Sequence, residues 1–246
     1  CNLLNRTRFW SAPDTFLTLS PKAKSRVHGL KLFTDGAIGS ESAALHRPFL
    51  NGKGDNRGIL IYTDSELTHI INQSLETEKS LAIHAIGDRA IEQTISTLKQ
   101  LSPRLNRAPE IRIEHAQLIT EQQASIAIDL GIKLCMQPNF SSDSHDYSDR
   151  LDQAYCSGNN PFRMLIDKVG YTPGENLLLG SDGMPHGIQS AAHHSFFPNI
   201  PSQQISIAEF TAGYCLDDFS KGAIELKIND LTKTVICDVL PPQSGQ

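Results

Sequence analysis

Residues Ser80–Ile95 read SLAIHAIGDRAIEQTI. An apolar run, Leu81-Ala82-Ile83, ends at a histidine, His84. A glycine, Gly87, follows, and after Asp88-Arg89 the residues Ile91, Ile95 and Leu98 recur at helical spacing. A short continuous apolar run suits a strand covered on both faces, and the three-to-four spacing suits an amphipathic helix. Asp88 stands where a helix N-cap is expected. A strand that turns through glycine into a helix is the repeating unit of parallel α/β proteins. Packing alone gives no reason for an imidazole at the end of such a strand.

The same unit recurs on both sides. Apolar runs bounded by Gly, Pro or Asp occur as GLKLFTDG (29–36), EIRIEHAQ (110–117), GIKLCMQP (131–138) and NLLLGSD (176–182). Helical patterns separate several of them. Thr63 and Glu66 have capping-box spacing, and Leu67, Ile70, Ile71 and Leu75 then follow on one helical face. Thr120 and Gln123 form a second capping box, and Gly131 is placed to stop that helix. Residues 141–174 are polar and are expected to hold a long loop and a helix around Arg163–Val169. Beyond Ile205 the chain is expected to form a helix, IAEFTAGYCLDD (207–218), and an extra strand, TVICDVL (234–240).

Bulk properties exclude several classes of protein. The 246 residues carry a formal net charge of -5 and 39% hydrophobic side chains, an ordinary globular composition. No basic stripe suggests a nucleic-acid partner, and no apolar run approaches the ~20 residues of a membrane span. The five cysteines are scattered, with no CxxC pair, which argues against a disulfide framework and a thiolate zinc site and points to a reducing, cytoplasmic setting.

Every run closes on polar groups. Lys31 and Asp35 belong to the first, His84 to the second, Glu114 and His115 to the third, Gln137 to the fourth and Asp182 to the fifth. In a parallel barrel the carboxyl ends of the strands are where active sites assemble. Buried groups of this kind need partners or a metal. The residues alone allow two readings: strand-end side chains satisfied within the core, or two imidazoles and a carboxylate converging on a divalent metal. His186, four residues beyond Asp182, is placed to reach a substrate, whereas His69 falls within a helix on its exposed side.

Five segments together resemble the amidohydrolase superfamily, in its amidohydrolase-3 or YtcJ-like branch of metal-dependent hydrolases: LKLFTDGAIGSESAAL, LAIHAIGDRAIEQTI, RIEHAQLI, CMQPNFSSD and LLLGSDGMP. They run in the family's order from about Gly29 to Gly187. The resemblance implies a (β/α)8 TIM barrel with a divalent metal, zinc by ligand type, at the strand ends. It implies His84 and His115 as the ligands from strands five and six. It implies Asp182 as the strand-eight aspartate that binds metal and takes the proton of the attacking water. Lys31 matches a strand-four position that is often a carboxylated, metal-bridging lysine. Arg89 and Glu114, with Asp35, match supporting positions, although the preferred reading of the GDRA run is an Asp88–Arg89 ion pair with no catalytic part. Gln137 and His186 fall on the substrate side. The implied reaction is hydrolysis of a non-peptide C–N bond in a small-molecule amide.

The chain also departs from the family pattern. No His-x-His occurs in the sequence, so the strand-one motif that supplies two ligands is missing. A barrel takes ~250 residues and eight strands, yet only about five strands, numbers four to eight by this alignment, are legible. The expectation is a C-terminal barrel portion over residues 1–204, with residues 205–246 as a helical and short β extension of the same domain. It would form at most one metal site well. It would pair with a missing N-terminal segment or with a second copy. The alternative is a non-catalytic fragment or remnant. Asn139 also stands where the family often has a histidine shortly after the Gln-Pro pair.

Overall fold

The structure is a computed structural model that describes residues 7–51, 54–183, 187–215 and 222–241. Six strands form one sheet: β1 (Phe9–Ser11), β2 (Val27–Phe33), β3 (Ser80–Ala85), β4 (Ile111–His115), β5 (Lys133–Met136) and β6 (Leu177–Leu179). They lie in chain order, and every neighbouring pair is parallel. This is the mixed α/β arrangement expected from the alternating pattern. All five legible strands are present. The sixth, β1, was not legible, because three residues, Phe-Trp-Ser, are too few to show a period. Among the described residues β1 and β6 are the two edges of the sheet.

Helices α1 (Pro13–Thr18) and α2 (Pro21–Lys24) lead from β1 to β2, and α3 (Asp64–Leu75) precedes β3. Helix α4 (Asp88–Gln100) joins β3 to β4, and α5 (Glu121–Asp129) joins β4 to β5. Both expected capping boxes form, at Thr63/Glu66 on α3 and Thr120/Gln123 on α5. A third, Ser206/Glu209, opens α9 (Ile207–Tyr214). Gly131 follows α5 with φ +72°, a value that favours glycine.

The expectation for Asp88 is corrected. Gly87 occupies the N-cap position of α4 with no side-chain cap. The Asp88 carboxylate accepts from the His46 backbone N–H at 2.9 Å and from the Tyr155 hydroxyl at 2.9 Å, so it ties distant loops together. Nor does Asp88 pair with Arg89, whose guanidinium donates to the carbonyls of Arg57 and Gly58. Gly87 itself is required by close approach, since a Cβ there would collide with the Ala44 carbonyl.

Residues 141–174 are more ordered than a long loop. They contain the end of a 3-10 turn (Pro138–Ser142), then α6 (Asp143–Asp146), α7 (Gln153–Gly158) and a π-helical turn at Met164–Val169. Helix α8 (Ile188–Phe196) follows β6. Helix α9 ends at Tyr214, and the rest of its expected span, from Leu216, lies outside the described residues. The extra strand is present as β8 (Thr234–Leu240), paired antiparallel with β7 (Ala223–Asn229). Ile205, Phe210 and Val235 join the same buried core as the parallel sheet. Among the described residues no helix is long and apolar enough to cross a membrane.

The two faces of the sheet differ sharply. Leu30, Leu32, Leu81, Ile83, Ile113 and Leu134 point to the helix-covered side and are buried with Leu67, Ile71, Ile91 and Leu98. The register places Lys31, Ala82, Arg112 and Lys133 in one row on the opposite face. The next row toward the strand ends is Phe33, His84, Glu114 and Cys135.

Candidate active site

His84 closes β3 and is 8% exposed. Its Nε2 lies 3.0 Å from the Gly36 carbonyl and 3.3 Å from Asp35 Oδ1. A carbonyl only accepts, so His84 donates from Nε2. Asp35 is 2% exposed and accepts backbone N–H groups from Ala44 (2.9 Å), Ile86 (3.0 Å) and Gly87 (2.8 Å). It thus welds the segment after β2 to the turn after β3, and His84 leans on that weld.

His115 closes β4 in a left-handed conformation, φ +71°, and Ala116 follows at φ +48°. Two successive non-glycine residues there cost about 1–3 kcal/mol each. The His115 imidazole packs edge-on against that of His84 with ring centroids 4.6 Å apart. His115 Nδ1 lies 2.7 Å from Gln137 Oε1, and its Nε2 lies 3.9 Å from Asp182 Oδ2. Asp182 is also left-handed, φ +47°, and its side chain is half exposed. Phe140 stacks on His115, and Phe33 lies against His84. Burial first, then the neighbouring His84 and Lys31, push the His115 pKa down to about 3, against the opposing Gln137 hydrogen bond. His115 is therefore neutral near pH 7.

Of the other candidates, Lys31 stands on the same face one row further from the strand ends than His84, with its Nζ 5.3 Å from the centre of the Phe33 ring. Burial lowers its pKa, partly offset by the Glu114 carboxylate. Glu114 lies beside His84 in register, yet its carboxylate is engaged by Arg112 Nε at 2.5 Å. Arg89 is turned to the loop carbonyls described above, with no imidazole among its partners. His186 lies outside the described residues. Cys135 is no ready nucleophile, because burial and Glu114 push its thiol up to about 12.

Four residues that shape the site were not assigned a role from the sequence. They are the Gly36 carbonyl, the flanking rings Phe33 and Phe140, and Asn139, whose buried amide donates to the Ser181 carbonyl at 3.0 Å beside Asp182. Phe33 had a signal, since it alternates with Lys31 along β2 and so shares its face. Among the described residues no three His, Cys, Asp or Glu side chains come together as a group able to hold a metal ion. The arrangement is a buried pair of imidazoles in ring contact with one carboxylate beside it.

A family model described as "Amidohydrolase family" matches residues 3–195, and the chain belongs to that family. YtcJ of Bacillus subtilis (strain 168), provisionally named an amidohydrolase, is 31% identical over 140 residues, which are 56% of this chain and 26% of YtcJ. The protein LONG AFTER FAR-RED 3 of Arabidopsis thaliana is 29% identical over 119 residues, 48% of this chain and 20% of that protein. In fold the chain is similar to uncharacterised metal-dependent hydrolases from Pyrococcus furiosus (TM-score 0.65, 19% identity) and Pyrococcus horikoshii OT3 (TM-score 0.62, 23% identity). It is covered over 82% and 85% of its length by these structures and spans 42% and 43% of theirs.

Proposed function

We propose that the chain carries part of the active site of a metal-dependent amidohydrolase that cleaves a non-peptide C–N bond of a small-molecule amide. The observation that carries this reading is the contact between two buried imidazoles from adjacent strand ends, with Asp182 3.9 Å from one of them. Core packing gives no reason to bury two imidazoles against each other. Neutral imidazole and carboxylate donors suit a divalent ion of the zinc type. His84 would offer Nδ1, His115 Nε2, and Asp182 and Lys31 would complete the set. A metal held there supplies Lewis acidity and brings the pKa of water near neutrality. Asp182 takes a proton on Oδ2 and returns it to the departing amine. Phe33 and Phe140 lie against the imidazoles, one on each.

In this reading the six parallel strands are a portion of a (β/α)8 barrel, and the remaining ligands come from a further segment. A second reading, a non-catalytic portion of such an enzyme, is favoured by the finding that no three ligand side chains meet among the described residues.

Metal content of the purified chain separates the two. The first reading expects about one equivalent of divalent metal by plasma mass spectrometry, lost in the His84→Ala/His115→Ala double variant. It also expects amide cleavage to rise when the complementary segment is supplied. A chain that stays metal-free after reconstitution supports the second.

A further inference from the structure

The two imidazoles are oriented by different kinds of partner. His84 Nε2 answers to the Gly36 backbone carbonyl at 3.0 Å and to the Asp35 carboxylate at 3.3 Å. His115 answers to a side-chain amide. Gln137 is 3% exposed, and its amide is engaged on both sides: Oε1 faces His115 Nδ1 at 2.7 Å, and Nε2 donates to the Cys135 carbonyl at 3.2 Å. The Cys135 carbonyl can only accept, so it determines which end of the amide faces which way. With the nitrogen toward Cys135, the oxygen faces His115. That oxygen also only accepts, so the proton of His115 must sit on Nδ1, leaving the lone pair on Nε2, the nitrogen nearer Asp182. The backbone carbonyl of Gln137 accepts from the side-chain amide of Asn160, a fully buried residue, at 2.9 Å.

We propose that Gln137 is a positioning residue that locks His115 in its Nδ1–H tautomer through the chain Cys135 carbonyl, Gln137 amide, His115 imidazole. An amide committed in this way is unlike the substrate contact expected of Gln137 from its strand-end position. The purpose of the lock rests on the metal reading above, because only the Nε2 lone pair faces the Asp182 side. The lock itself does not depend on metal.

The test is the tautomer of His115 in the metal-free, ¹⁵N-labelled chain, read from long-range proton–nitrogen correlations of the imidazole rings. The His115 signals are assigned by their loss in His115→Gln. The wild-type chain is expected to carry the proton on Nδ1. Gln137→Glu keeps an acceptor at the same place and is expected to retain that tautomer. Gln137→Leu removes the acceptor and is expected to move the proton to Nε2. It also weakens Zn²⁺ binding by roughly 10- to 100-fold, as loss of a ligand-orienting partner does. Three results overturn the proposal: an Nε2–H tautomer in the wild type, the same in Gln137→Glu, or an unchanged Nδ1–H tautomer in Gln137→Leu. If Gln137→Leu does not fold, the wild type and Gln137→Glu still decide. A wild-type chain with the Nδ1–H tautomer but no affinity for Zn²⁺ upholds the role of Gln137 and removes the metal reading instead.

Discussion

The two faces of the parallel sheet are made from the same strands, one residue out of phase, and have opposite physical characters. On the helix side, Leu30, Leu32, Leu81, Ile83, Ile113 and Leu134 are buried among aliphatic neighbours. On the other side Lys31, Arg112 and Lys133 share a row, and Phe33, His84, Glu114 and Cys135 share the next. Arg112 stacks over Trp10 at 4.5 Å and lies 3.7 Å from Glu110, which also pairs with Lys133 at 3.0 Å. Phe33 remains 50% exposed. One face removes apolar area from water and so stabilises the fold. The other keeps charge and imidazole at the same depth. The difference teaches that stability and chemistry are separable here by residue parity.

The strongest way to break that comparison is to substitute across one strand boundary. Ile83→Ala on the helix side should lose about 2–5 kcal/mol in denaturant unfolding. Lys31→Met on the opposite face should change stability by less than about 1 kcal/mol, because a half-buried lysine with a lowered pKa is replaced by an apolar side chain of similar length. Equal losses from both would show that the charged face is as much a part of the stabilising core as the aliphatic one.

Asp35 sharpens the comparison at the strand ends, where the two faces meet. Removal by Asp35→Ala leaves the buried N–H groups of Ala44, Ile86 and Gly87 without their acceptor. The expected loss is about 2–4 kcal/mol, from a desolvation penalty of about 1–3 kcal/mol per orphaned group, softened by relaxation. Thermal unfolding with amide hydrogen exchange of Ile86 and Gly87 measures it. Unchanged protection at both amides would show that Asp35 is not the weld.

The smallest effect has the opposite sign. Burial pushes the Asp143 carboxyl up to about 6, against a hydrogen bond from Gln117 and with help from Asp146. The folded state therefore holds this proton more tightly than the unfolded chain does. Its contribution is fully present below the ordinary carboxylate value of 3.8 and is lost as pH rises through 6. At pH 8 the ionised group is a native-state penalty. Asp143→Asn should accordingly stabilise the protein by about 1–2 kcal/mol at pH 8, and the gain should vanish below about pH 4. Urea midpoints for both proteins across that range test it, and a gain independent of pH would assign the effect to something other than titration.

Much of the fold was legible because its signals are local. Five apolar runs became five strands, and both Thr-headed capping boxes formed, since each needs only residues within one turn. Strand β1 was silent because three residues, one exposed and two half-buried, are too few to show a period. Asp88 misled for another reason: a carboxylate at a helix start has a local use as a cap, and here the backbone of His46 and the hydroxyl of Tyr155, remote in sequence, claim it instead. The site divides in the same way. His84, His115 and Asp182 stand out because ionisable groups at the ends of apolar runs are unexpected whatever the fold. Arg89 and Glu114 take partners other than the imidazoles, and spacing could not reveal those partners.

The sequence by itself determined the alternation of strand and helix, the order of the polar strand ends and membership in a family pattern, because periodicity and residue type act over short range. Only the tertiary structure decided that His84 and His115 touch, that two left-handed residues follow one another at the end of the second imidazole's strand, and that a glutamine and a carbonyl face their ring nitrogens. These depend on distances between residues far apart in the chain, which are set when the sheet register and the packing of its helices are set together.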